Sequence, residues 1–337
     1  MANVPDLVRD SKLETYYLPD CTVETVHTYN EPEQKSRRRL VTRIEHWKRQ
    51  KRNRKGCGGR SDKKVRAVKQ IDISGRFRGF DYSCELEAIT KFSQPRYERC
   101  FVKSLGWYDS PEYLLIAMEY LELGDLGVYL HRRPPLPEGQ AQEIAYQILD
   151  GLNMMHYNGF AHRDLNPTVS PLFLDDHNHN LAYLWQNILI QLRPPDEWWI
   201  KISDFGISKR IEEAPSASTT LRGTWGYIAP EVHRLTERDT PFASDIWSLG
   251  QIVFELLTKE IAFKHLGSLV GYVTQADHFP TDRLSRSSAL SVEFITSLMC
   301  PIPMTAAVAI SNKWIQSKLI PSDSEANVSH TLKICPQ

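Results

Sequence analysis

The spacing of apolar positions changes about a third of the way along the chain. Before that point "VRAVKQI" (65–71) alternates with a β-branched bias, which predicts a strand. "YSCELEAITKF" (82–92) places Leu86, Ile89 and Phe92 at helical spacing. "FVKSLGWYDSPEYLLIAMEYL" (101–121) predicts two strands joined by a turn at Asp109-Ser110-Pro111. From residue 136 the period is helical. "LPEGQAQEIAYQILDGLNMMHYNG" has an N-terminal proline, early acids, apolar Ile144, Ile148, Leu152 and Met155, and a stop at Gly159. "SDIWSLGQIVFELLTKE" (244–260) and "SVEFITSLMC" (291–300) continue as amphipathic helices. Strands crowd the first third and helices the rest, which predicts a small sheet-rich lobe followed by a larger helical one. No internal repeat is present. Residues 1–34 are mixed and polar, with weak strand character near "CTVETVHTY".

Composition alters this picture in one place. The 337 residues suffice for a sizeable core, with 41% apolar and 24% charged residues. The formal net charge is zero, yet Lys35 to Lys64 holds fourteen Lys/Arg against two Asp/Glu. That arm could meet nucleic acid, anionic lipid or an import receptor, or simply be solvated. No aromatic-rich surface accompanies it, so nucleic acid is not expected as a partner. The cysteines (Cys21, Cys57, Cys84, Cys100, Cys300, Cys335) form no CxxC pair and read as reduced thiols. The first residues, "MANVPDLVRDSKLETYY", lack the apolar run of a signal peptide, and no stretch approaches eighteen apolar residues. A cytoplasmic or nuclear location, or both, is expected, with no membrane partner.

Four short motifs occur in fixed order: "AVK" (67–69), "HRD" (162–164), "DFG" (204–206) and "APE" (229–231). Together with "SDIWSLG" (244–250) they resemble the eukaryotic protein kinase signature set of the serine/threonine type. The resemblance covers residues 56–317 and implies an α+β, two-lobed fold. Its N-lobe would run over 56–118, a hinge over 119–123 and the C-lobe over 124–317. Residues 1–34 are left as an extension, 35–55 as a basic linker and 318–337 as a polar, disordered tail.

The resemblance also implies roles. Lys69 would pair with the α- and β-phosphates of ATP, held by Glu85, with Glu87 as the alternative holder. Gly56, Gly58 and Gly59 of "GCGG" would approach the phosphates, and Met118, Glu119 and Leu121 would border the adenine. Asp164 would accept or orient the proton of the acceptor hydroxyl. Asp204 and Asn187 would bind Mg2+. Thr224 matches the threonine lining the substrate loop of serine/threonine kinases, so the partner should be a protein with a Ser or Thr acceptor. Thr220, with Thr219 and Ser218 beside it, stands where an upstream activating kinase would add a phosphate, and Arg163 could pair with it. The other reading of that stretch is a flexible loop that is never modified. Asp245 would brace the catalytic loop from below, and Glu231 would need an arginine partner.

Three departures follow. In the family the catalytic Asp and the magnesium-binding Asn are five residues apart, whereas Asp164 and Asn187 are twenty-three apart. Removing Val169 to Gln186 rejoins "HRDLNPTNILIQ". Val169-Ser170 can be encoded GTA-AGT and Gln186 CAG, the edges of an intron, so a translated, retained intron is the favoured reading. A bulging surface loop is the second reading, and a metal site at His177 and His179 the third. Next, "GCGG" collapses into "RSDKK" where a full hairpin is expected before Lys69. Finally, Asn166 stands in place of a catalytic-loop lysine, and "CPIPMTAAVAISNKWI" lacks the arginine expected to pair with Glu231. Weak or no activity is expected of this polypeptide, and a pseudokinase scaffold that binds partners without catalysis is the rival function.

Overall fold

In a computed structural model the described residues are 40–44, 66–72, 83–109, 113–131, 133–165, 187–205, 209–210, 229–231, 233, 235, 242–301 and 304–317. The chain divides into two compact units, Met1–Gln94 with Val102–Leu121, and Pro95–Phe101 with Glu122–Gln337.

The first unit is built on an antiparallel sheet in the order β1-β2-β4-β3. Its strands are β1 (Leu40–Ile44), β2 (Arg66–Asp72), β3 (Ser104–Asp109) and β4 (Tyr113–Glu119). Helix α1 (Ser83–Phe92) buries Leu86, Ala88, Ile89 and Phe92, the face that the 3.6-residue spacing predicts. Val68, Leu115 and Ala117 form a core cluster on the sheet.

β1 corrects the sequence reading. Leu40–Ile44 lies in the segment taken as a basic linker, yet it pairs with β2 from Leu40↔Gln70 to Ile44↔Arg66. The sheet therefore begins upstream of residue 56, and "GCGG" falls in the β1–β2 connection, outside the described residues. The five-residue strand "LVTRI" carries the β-branched residues that favour a pleated surface. Charge on both sides of it masked that signal.

The second unit is mainly helical. Helix α3 (Glu138–Tyr157) follows α2 (Leu126–His131) and buries Ile144, Ile148, Leu152 and Met155 along one stripe. It ends where Gly159 adopts φ 80°, with the Gly159 N–H donating to the His156 carbonyl at 3.0 Å. Helix α4 (Ala243–Thr258) is buried on most of its circumference, as expected of a central helix. Around these pack α5 (Leu266–Val273), α6 (Ala289–Leu298), α7 (Ala306–Ile310) and α8 (Lys313–Ser317). Trp314 of α8 is buried, meets Phe294 with ring centroids 5.0 Å apart, and donates its Nε1–H to Glu138 at 2.8 Å.

Two short ladders complete this unit: β5 (Phe160–Ala161) with β8 (Lys209–Arg210), and β6 (Ile188–Leu192) with β7 (Trp199–Ile202). Pro95–Phe101 belongs here as well, because the Ile202 N–H donates to the Cys100 carbonyl at 2.8 Å and Phe101 bridges Ile202. The unit boundary at Leu121/Glu122 falls inside the expected hinge, 119–123. Among the described residues no helix is long and apolar enough to cross a membrane.

Candidate active site

In the first unit, strand β2 places Lys69 opposite Ile116 of β4, and α1 carries Glu85 beneath it. The Lys69 ammonium donates to Glu85 Oε1, and both side chains are buried, at 4% and 3% exposure. Two charges this far from water are retained only as a pair. Glu85, rather than Glu87, is the acid that meets the lysine. Met118 and Leu121 are buried. Glu119 turns its carboxylate away along the sheet, accepting the Lys103 N–H at 2.8 Å.

In the second unit, a catalytic-loop geometry is assembled from segments far apart in sequence. Asp245, in the first turn of α4, is fully buried. Its carboxylate accepts the backbone N–H groups of His162 (2.8 Å) and Arg163 (2.7 Å) and lies 2.9 Å from His156 Nε2. Burial alone would raise this carboxyl. The His156 hydrogen bond, the His156 and His162 charges and the Arg163 N–H outweigh it, so the pKa lies below the ordinary value. Arg163 takes φ 65°, a left-handed conformation for a residue with a side chain, at a cost of about 1–3 kcal/mol that the two Asp245 bonds help offset.

Ser203, just past β7, ties the remaining pieces together. Its carbonyl lies 3.0 Å from His162 Nε2 and its N–H donates to the Asn187 carbonyl at 2.8 Å. Asp204 follows with φ 66°. Phe205 is buried against Phe101 (5.8 Å between centroids) and His162 (6.0 Å). Asn187 is fully buried and donates its Nδ2–H to the Asp164 carbonyl. Asp164, Asn187 and Asp204 are thus carried by one hydrogen-bonded framework.

That framework fits a magnesium ion. Asn187 Oδ1 is buried with no hydrogen-bond partner among the described residues, leaving a hard oxygen acceptor free while its Nδ2 is held. No cluster of three or more His, Cys, Asp or Glu is present among the described residues. Magnesium does not need one, since one or two protein oxygens with phosphate and water complete its shell.

Gly56, Gly58, Gly59, Asn166, His177, His179, Ser218, Thr219, Thr220 and Thr224 lie outside the described residues. Glu231 is half-buried. Among the described residues neither Cys100 nor Cys300 forms a disulfide. Sequence reasoning missed His156 and Ser203. His156 sits six residues before His162 at the end of α3, and only the position of Asp245 reveals its role.

The chain belongs to the protein kinase domain family, which matches residues 55–314, and it has the two-lobed protein kinase fold. Serine/threonine-protein kinase RAD53 of Saccharomyces cerevisiae is 29% identical over 286 residues, 79% of this chain and 31% of that protein. Calcium/calmodulin-dependent protein kinase type 1 of Caenorhabditis elegans is 31% identical over 255 residues, 74% of this chain and 66% of that one. A crystal structure of Rad53 in complex with AMP-PNP superposes with a TM-score of 0.60 at 26% identity, covering 85% of this chain and 65% of that one. The chain spans 31% of the length of RAD53 and 28% of that of ATG1b of Arabidopsis thaliana, another serine/threonine-protein kinase it matches.

Proposed function

We propose that this chain transfers the γ-phosphoryl group of ATP to Ser or Thr hydroxyls of proteins. The observation that carries the proposal is the anchoring of Asn187 to Asp164, with Ser203 holding Asp204 beside both. In this reading the acceptor oxygen attacks the γ-phosphorus as the bond to the bridging oxygen breaks and ADP departs. Asp164 takes the hydroxyl proton. Lys69, held by Glu85, neutralises the α- and β-phosphates, and Gly56, Gly58 and Gly59 approach them through the backbone. Met118, Glu119 and Leu121 border the adenine, with Glu119 offering its carbonyl because its carboxylate is engaged. Asn187 Oδ1 and Asp204 would hold Mg2+, which would supply positive charge to the phosphate oxygens. Thr224 lines the acceptor's path, and a phosphate on Thr220, added by an upstream kinase, pairs with Arg163.

A second reading, a scaffold without catalysis, is favoured by Asn166 and by the shortened glycine cluster, which remove contacts to the transferring phosphate. One experiment separates the two. Transfer of radiolabel from magnesium-ATP to a Ser/Thr peptide mixture, abolished in Asp164→Asn, supports the kinase. A thermal shift with magnesium-ATP but no transfer supports the scaffold, and the absence of both signals rejects the kinase and counts against nucleotide binding.

A further inference from the structure

Away from that framework, the second unit carries two arginines on one aromatic ring. The Arg133 guanidinium lies 4.2 Å and that of Arg193 5.2 Å from the Tyr129 centroid, so the charges are no further apart than the sum of those distances. Among the described residues neither arginine makes a salt bridge. Their N–H donors stay available while the ring fixes their positions.

The ring itself is braced. Trp198 is buried and meets Tyr129 edge-on at 5.3 Å. Helix α3 grips Trp198 twice: Glu143 accepts its N–H at 3.0 Å, and Gln147 donates to its carbonyl at 2.7 Å. Such bracing removes part of the ordering cost that exposed side chains incur on binding. Val128 precedes Tyr129 and Leu192 precedes Arg193 in the chain, and they are 41% and 40% exposed.

We infer that this arginine pair is a docking site for an acidic, leucine-containing peptide segment of a protein partner. Guanidinium groups bind carboxylates through paired hydrogen bonds, and Tyr, Trp and Arg recur where protein contacts concentrate their binding energy. The exposed aliphatic neighbours suit a peptide that alternates acid and leucine. The inference does not rest on catalysis.

The test is fluorescence anisotropy of a labelled Glu-Leu-Glu-Glu-Leu-Glu peptide against the full chain at 0.15 M salt, about physiological strength. R133E/R193E should weaken binding at least tenfold, whereas K48E/R49E, in the basic arm, should change it less than twofold. Circular dichroism on both variants checks that they fold. No peptide binding at millimolar protein overturns the inference, as does a loss confined to K48E/R49E. A labelled twelve-nucleotide single strand that binds more tightly than the peptide, and is lost in R133E/R193E, overturns it in favour of nucleic acid. Because no nucleotide is present, the outcome is independent of phosphoryl transfer.

Discussion

Asn187 donates its side-chain amide to the carbonyl of Asp164 across a sequence separation of 23 residues. Magnesium tolerates little displacement of its ligands, which would count against a true insertion here. That objection weakens once the asparagine is fixed by the aspartate's own backbone. Deleting Val169–Gln186 should leave this bond intact and shorten the closed loop, stabilising the fold by about 1.4 kcal/mol from loop entropy alone. Thermal unfolding of the deletion variant checks this. A fall in Tm would mean that the segment contributes packing, and peptide phosphorylation at or above the parent's rate is the expected companion result.

Lys69 and Glu85 form a pair with almost no solvent. Glu85→Gln should destabilise the first unit by about 3–5 kcal/mol, because an uncompensated ammonium remains buried. Lys69→Met leaves the Glu85 carboxylate buried and unpaired in its turn, so it should cost a comparable amount of stability while lowering phosphoryl transfer about a hundredfold or more. Urea denaturation and initial rates on the two variants test this.

Buried carboxyls set opposing pH dependences. Asp245 titrates below the ordinary value of 3.8, so its contribution is present above that pH and is lost as the pH falls through its lower folded value. Asp245→Asn should cost about 3 kcal/mol at neutral pH, and the difference should close in acid. Asp150 is raised by burial, against the Cys100 thiol and Arg99. Its ionisation therefore costs stability as the pH climbs from 3.8 through its raised value. Asp150→Asn should gain on the parent at neutral pH and lose that advantage below 3.8, a sign reversal that denaturation at several pH values will read directly.

Gly151 of α3 leaves room for β7. A Cβ there would stand 2.7 Å from Ile202 Cδ1 and 3.5 Å from Cys100 Cβ. Gly151→Val should cost about 1–3 kcal/mol through overpacking. It should also slow phosphoryl transfer, because the displaced Ile202 leads directly into Ser203 and Asp204. Unchanged rates in a destabilised variant would show that the strand end does not pass strain to Asp204.

Much of this was legible in the sequence where residue type and spacing coincide. The strand at Lys69, the helix carrying Glu85, strands β3 and β4 and the stop at Gly159 all follow from periodicity and local chemistry. The Leu40–Ile44 strand did not, because fourteen positive charges between residues 35 and 64 outweighed five residues of alternation. Asp245 was readable as a brace, but its third partner, His156, was not. That contact depends on the packing of α3 against α4, which no local pattern encodes. Arg133 and Arg193 were equally silent, since sixty residues separate two side chains that share one ring.

The hold of Asp245 on His162 and Arg163 reaches back more than eighty residues. A chain leaving the ribosome therefore presents its catalytic loop well before the helix that shapes it. The left-handed turn at Arg163 has little to hold it until α4 emerges. The loop should be among the last parts of this unit to reach its native form, a consequence of late, long-range contacts. Nascent chains stalled short of residue 245 would carry every catalytic-loop residue and still lack the loop.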